Sequence, residues 1–129
     1  MIVDSSVLVA IALREPTHRD LTERMVAAEA VGVGAPTLLE TGIVLSARIR
    51  GDARPLLDRF VAEFGLVVIP FVAEHWRAAC SAYVRFGRGR HPAALNLGDC
   101  MTYATAQLAG LPLLCTGDDF PQTDIELAR

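Results

Sequence analysis

Hydrophobic positions along this chain change period several times, and each change marks an element. Ile2 and Val3 form a short apolar run that stops at Asp4, with Ser5 and Ser6 behind it as good helix N-caps. Helical spacing then covers residues 7–14, stopped by Pro16, and residues 21–30, whose polar face carries Thr22, Glu23 and Glu29. Residues 31–35 read as a second short strand, weakened by glycine. Pro36 and Thr37 open a helix that runs to about Arg50 and closes at Gly51. Residues 53–64 are amphipathic, with Leu56, Leu57, Phe60, Val61 and Phe64 on one side. The clearest strand is 66–70, β-branched and bounded by Gly65 and Pro70. Residues 72–86 return to helical spacing, 87–92 form a basic loop, and 99–109 are a helix closed by Gly110. A last buried strand spans 111–115, and 116–120 turn away from it. Short strands, apolar throughout and alternating with helices, predict an α/β fold with a mostly parallel central sheet covered on both faces.

Composition narrows the class. A chain of 129 residues without repeat, linker or low-complexity segment reads as one domain, residues 1–129. Its longest apolar stretches, 7–13 and 66–73, fall far short of the roughly 18 residues a membrane span needs. No basic segment precedes an apolar one at the N-terminus, so no secretory signal is expected. Cys80, Cys100 and Cys115 are odd in number and unpaired in spacing, and read as reduced core cysteines of a cytoplasmic protein. All twelve basic residues are arginine, so any mechanism that requires a lysine is excluded. The net charge of −3 ordinarily argues against a nucleic-acid partner. Its distribution changes that picture. With four acids at strand ends and helix starts set aside, eleven of the fifteen remain against twelve arginines.

Those acids are Asp4, Glu40, Asp99 and one of the Asp118/Asp119 pair. Singly, each has a capping explanation. Asp4 suits an N-cap; Thr37 and Glu40 have capping-box spacing, as do Asn96 and Asp99; Asp118 and Asp119 suit a turn. Together they imply more. Glu40 shares a helix face with Ile43, Val44 and Ala47, and Asp99 heads a face of Thr102, Tyr103 and Ala106. In a parallel sheet Asp4 and Asp119 both fall at the carboxyl edge, where α/β folds build their sites. Converging carboxylates cannot all stay ionised without a cation among them. An all-oxygen donor set suits Mg²⁺ or Mn²⁺, whereas zinc wants His and Cys. His18, His75 and His91 are isolated and read as surface or capping residues.

The motifs resemble those of PIN-domain ribonucleases, particularly the VapC toxins of bacterial toxin–antitoxin pairs. Met1 to Ser6 resembles the family's opening, 38–41 its second motif, 95–100 its third, and 113–120 with Thr123, Asp124 and Ile125 its fourth and a tail. The resemblance spans nearly the whole chain. It implies a three-layer PIN-like fold and a Mg²⁺-dependent endoribonuclease, with Mn²⁺ able to substitute, that inhibits translation and growth. It implies metal ligation mainly by Asp4 and Asp99, with Glu40 and the acid of the Gly117–Phe120 turn completing a catalytic pocket. Asp119, directly before the aromatic, is favoured over Asp118 for that last position. Ser6 and Thr116 are candidates to hold a water beside the ion, and Asn96 to orient the loop bearing Asp99. Arg85, Arg88 and Arg90, at the basic loop, are candidate contacts for the RNA backbone or for an antitoxin. The implied partners are RNA, a cognate VapB antitoxin that neutralises the toxin, and a second copy of the chain. For the last, apolar positions on the 38–50 and 53–64 helices are the only support in the residues themselves.

Rival phosphate chemistries fit less well. A phosphorelay receiver and a haloacid-dehalogenase-type phosphatase each need a lysine, and the second also wants a further Asp two residues after Asp4, where Ser6 stands. Two alternatives remain open: a PIN-like nuclease acting on other structured nucleic acid, and a non-catalytic PIN scaffold for protein or RNA binding.

Overall fold

Four short strands, in the order β3-β2-β1-β4 and parallel throughout, form the centre of the computed structural model, which describes residues 1–129. β1 (Ile2–Val3) leads into α1 (Ser5–Ala12) and α2 (His18–Ala27), and β2 (Gly32–Gly34) into α3 (Ala35–Ile49) and α4 (Arg54–Glu63). β3 (Val67–Ile69) leads into α5 (Ala73–Phe86) and α6 (Leu97–Ala109), and β4 (Leu113–Leu114) into a 3₁₀ turn at Phe120–Gln122.

Neighbouring residues of a strand point to opposite faces, and here that alternation divides the core in two. Ile2 and Leu113 pack with Ala79, Ala82 and Phe86 of α5 and Tyr103 and Ala106 of α6. Val3, Val33 and Leu114 pack on the other face with Val7, Leu8, Leu21, Met25 and Phe60, from α1, α2 and α4. Helices therefore cover both sides, giving the expected three layers. Gly32, which weakens β2 as a strand, has a packing reason. A Cβ there would lie 2.9 Å from the Cδ1 atoms of both Ile2 and Ile69. After β4 the chain returns alongside it. Leu113 N–H donates to the Glu126 carbonyl at 2.8 Å, Ala128 N–H to the Leu113 carbonyl at 2.8 Å, and Arg24 reaches the Ala128 carbonyl at 2.5 Å. That tail covers an edge strand that would otherwise present free backbone groups.

Several expectations need correction. α1 begins at Ser5, and Asp4 is its cap: Ser6 N–H donates to Asp4 Oδ2 at 3.1 Å, while both serine side chains bond elsewhere. α3 begins at Ala35 with Gly34 as N-cap, because Pro36 belongs to the first helical turn. Thr37 and Glu40 accordingly form no capping box, and Thr37 is buried. β3 is an edge strand whose Val67 and Val68 are 57% and 43% exposed, so the sheet is not covered there. The apolar side of α4 belongs to the core through Leu57 and Phe60, whereas Leu39, Ile43 and Ile49 of α3 face outward. Cys80 lies on an exposed side of α5 and is no core cysteine. No helix is long and apolar enough to cross a membrane.

Candidate active site

From β1 the chain runs to β2 and β3 on one side and comes back to β4 on the other, so the carboxyl ends of β1 and β4 sit at a topological switch point. Asp4 N–H donates to the Leu114 carbonyl at 3.0 Å, which fixes the two strand ends side by side. Ser6 Oγ accepts from Thr116 N–H at 3.1 Å and ties the chain leaving β4 to the first turn of α1. The N-terminal turns of α3 and α6 bring Glu40 and Asp99 to the same edge.

Asp4 is 5% exposed, and both its oxygens have neutral donors: Ser6 N–H on Oδ2, and Thr102 Oγ1 on Oδ1 at 3.0 Å. No basic side chain forms an ion pair with it. Glu40 Oε1 accepts from Ser5 Oγ at 2.5 Å. The other Glu40 oxygen, Oε2, occupies space made by a glycine, since a Cβ on Gly98 would lie 1.8 Å from it. Asp99 forms a reciprocal cap with Asn96: Asn96 N–H donates to Asp99 Oδ2 at 3.0 Å, and Asp99 N–H to Asn96 Oδ1 at 2.9 Å. Burial pushes the Asp99 carboxyl up to about 6, against the lowering effect of the Asn96 N–H. The charges of Asp4, Asp119 and Glu40, in that order, add to the rise. Four acids thus share one electrostatic field. Both turn acids are exposed; Asp119, and not Asp118, is among the charges acting on Asp99, and the Asp118 backbone carbonyl accepts from Gln122 Nε2 at 2.9 Å.

An ion would find only oxygen donors here. Burial, then the charge of Asp99, pushes the Cys100 thiol up to about 11; burial, then Asp4, does the same to Cys115. Neither is a thiolate at neutral pH. His75 and His91 accept backbone N–H groups at 3.2 and 3.0 Å, as capping residues do. No three acidic, His or Cys side chains are gathered tightly enough to enclose an ion by themselves. An all-oxygen donor set of this kind, with few protein ligands, fits Mg²⁺, which keeps several waters and shares its shell with substrate phosphate.

The basic residues divide. Arg85 pairs with Asp124 at 2.5 Å and lies 3.4 Å from Tyr103 Oη, which itself donates to Asp124 at 2.5 Å. Burial and then Asp124 push the Tyr103 hydroxyl up to about 12. Arg85 therefore clasps the C-terminal tail onto α5 and α6 while its side chain stays 45% exposed. Arg88 and Arg90 are exposed beside a groove of about 670 Å³ lined by Trp76, Tyr83 and Leu97, with Arg90 5.3 Å over the Tyr83 ring. From local sequence Ser5 and Thr37 have only capping roles, Thr102 only a place on the Asp99 face, and Gly98 no role in the pocket. The available signal was polarity on buried faces: Thr102 falls three residues after Asp99, and Thr37 three before Glu40.

The PIN-domain family model matches residues 1–126. Ribonuclease VapC36 of Mycobacterium tuberculosis is 51% identical over 127 residues, covering 98% of this chain and 91% of that protein. The crystal structure of M. tuberculosis VapC20, described as a Sarcin-Ricin loop cleaving toxin, superposes with a TM-score of 0.77 at 17% identity, over 99% of this chain and 98% of that one. A toxin–antitoxin complex from Klebsiella pneumoniae superposes with a TM-score of 0.70 at 18% identity, over 95% and 92%. At such identities the two structures speak for the fold alone.

Proposed function

We propose that this chain, which belongs to the PIN-domain family and within it to the VapC ribonucleases, is a metal-dependent endoribonuclease toxin of a toxin–antitoxin pair. The observation that carries the metal and the chemistry is the mutual electrostatic influence of Asp4, Glu40, Asp99 and Asp119, none of which has a basic ion-pair partner. Residues 1–129 act as one PIN domain in the cytoplasm.

In this reading Asp4 and Asp99 hold the ion, and Glu40 and Asp119 complete the pocket and orient the attacking water. Bound by Asp4 and Asp99, Mg²⁺ or Mn²⁺ would supply a lowered water pKa and positive charge against the phosphate being cleaved. Ser5 fixes the Glu40 carboxylate, and Asn96 fixes Asp99. Cleavage leaves a 5′-phosphate and a 3′-hydroxyl. Arg88 and Arg90 meet the RNA backbone. A cognate VapB antitoxin covers the pocket and so restores translation and growth. A second copy of the chain docks on the apolar surface of Leu39, Ile43, Val44, Leu97 and Met101, which borders Glu40.

The test is cleavage of a total-RNA substrate, with 5′-end mapping of the products. Wild-type protein with Mg²⁺ is expected to cut, and EDTA or Asp4→Asn to reduce cutting by at least about a hundredfold, since positioned electrostatic groups contribute on that scale. Cleavage that survives both changes refutes the metal-dependent reading.

A further inference from the structure

Thr102 and Thr37 are 1% and 4% exposed, and they meet hydroxyl to hydroxyl at 3.2 Å across the α3–α6 contact. Each hydroxyl has one proton to give. The Thr102 hydroxyl gives its proton to Asp4 Oδ1. Thr37 must then donate to Thr102, while its own carbonyl accepts from Thr41 Oγ1 at 2.7 Å. The chain of hydrogen bonds has one direction, from Thr37 through Thr102 to Asp4.

Its position gives it a consequence. Thr102 stands three residues after Asp99 on α6, and Thr37 three residues before Glu40 on α3, so each hydroxyl shares a helix face with an acid of the pocket. One buried pair of hydroxyls therefore joins the elements carrying Asp4, Glu40 and Asp99. Resting on the proposed metal site, we infer that Thr102 is a positioning residue: through its bond to Asp4 Oδ1 it sets the spacing of Asp4 and Asp99 for a divalent cation. Thr37 acts one step behind by orienting the Thr102 hydroxyl.

Packing and positioning predict opposite orders for two substitutions. Thr102→Val keeps shape and loses the donor; Thr102→Ser keeps the donor and loses a methyl group. Mn²⁺ binding to the purified protein without RNA, followed by electron paramagnetic resonance of the free ion, reads the site independently of catalysis. Partners behind a metal ligand typically contribute about ten- to a hundredfold in affinity. Thr102→Val is expected to weaken Mn²⁺ binding by that factor, Thr102→Ser by less than about threefold, and Thr37→Val to fall between them. Thr102→Ala, which cannot overpack the site, should show the same loss as Thr102→Val and replaces it if that variant does not fold. Wild-type affinity in Thr102→Val or Thr102→Ala overturns the inference while leaving the metal site standing. A larger loss in Thr102→Ser than in Thr102→Val also overturns it, in favour of packing. No Mn²⁺ binding by the wild type overturns the metal reading and the inference together.

Discussion

Asp99→Asn should stabilise the metal-free protein while abolishing its chemistry. The Asp99 carboxyl rises from 3.8 to about 6, first through burial and then through Asp4, Asp119 and Glu40. At about 1.4 kcal/mol per unit the ceiling on the destabilisation by ionised Asp99 is about 3 kcal/mol. Asp99 is partly exposed, and solvent screening brings the figure to about 1–1.5 kcal/mol. For a chain of this size that corresponds to about 4–6 °C in melting temperature. Asparagine retains an oxygen for the Asn96 N–H, so the helix cap survives the change.

The pH dependence follows from the direction of the shift. A carboxyl raised in the folded state favours folding when protonated, and its contribution is fully present below the unfolded value near 4. That contribution is lost as pH rises through about 6. The advantage of Asp99→Asn should therefore be absent at pH 4, grow between pH 4 and 6, and be complete above about pH 7. Thermal unfolding by circular dichroism in EDTA, from pH 4 to 8, measures it. Adding Mg²⁺ at pH 8 should raise the wild-type midpoint and leave the variant nearly unmoved. An advantage of the same size at every pH, or none at pH 8, refutes the account of Asp99 as an uncompensated acid.

Three further substitutions probe the pocket. Gly98→Ala puts a Cβ into the space of the Glu40 carboxylate, so cleavage should fall by roughly a hundredfold, as misplacement of a catalytic group by about 1 Å does, with the circular dichroism spectrum retained. Near wild-type cleavage by that variant would show that Glu40 can move without consequence. Asp119→Asn should lower the cleavage rate by at least about tenfold and Asp118→Asn by less than twofold, since of these two Asp119 is the one whose charge acts on Asp99. Equal losses in single-turnover assays would remove the distinction.

The order and type of the elements were legible in the chain because helical and strand periodicities differ and glycine and proline mark the breaks between them. The acids were legible for a related reason: each ends a strand or opens a helix, and a parallel sheet gathers such ends at one edge. Local sequence offers more caps than the fold uses: the Asp4 cap and the Asn96–Asp99 box form, and others do not. Asp4 and not a serine caps α1, and Glu40 bonds Ser5 and not its own helix, because those partners are set by elements distant in the chain. Arg85 stands just before the basic loop, and nothing local shows that the tail brings Asp124 to it across 39 positions. The exposed valines of β3 follow from strand order, which hydropathy does not encode. The same holds at the centre of the site. Thr102 and Asp4 lie 98 positions apart, and only the packing of α6 against the sheet turns an ordinary helical threonine into the donor on a buried carboxylate.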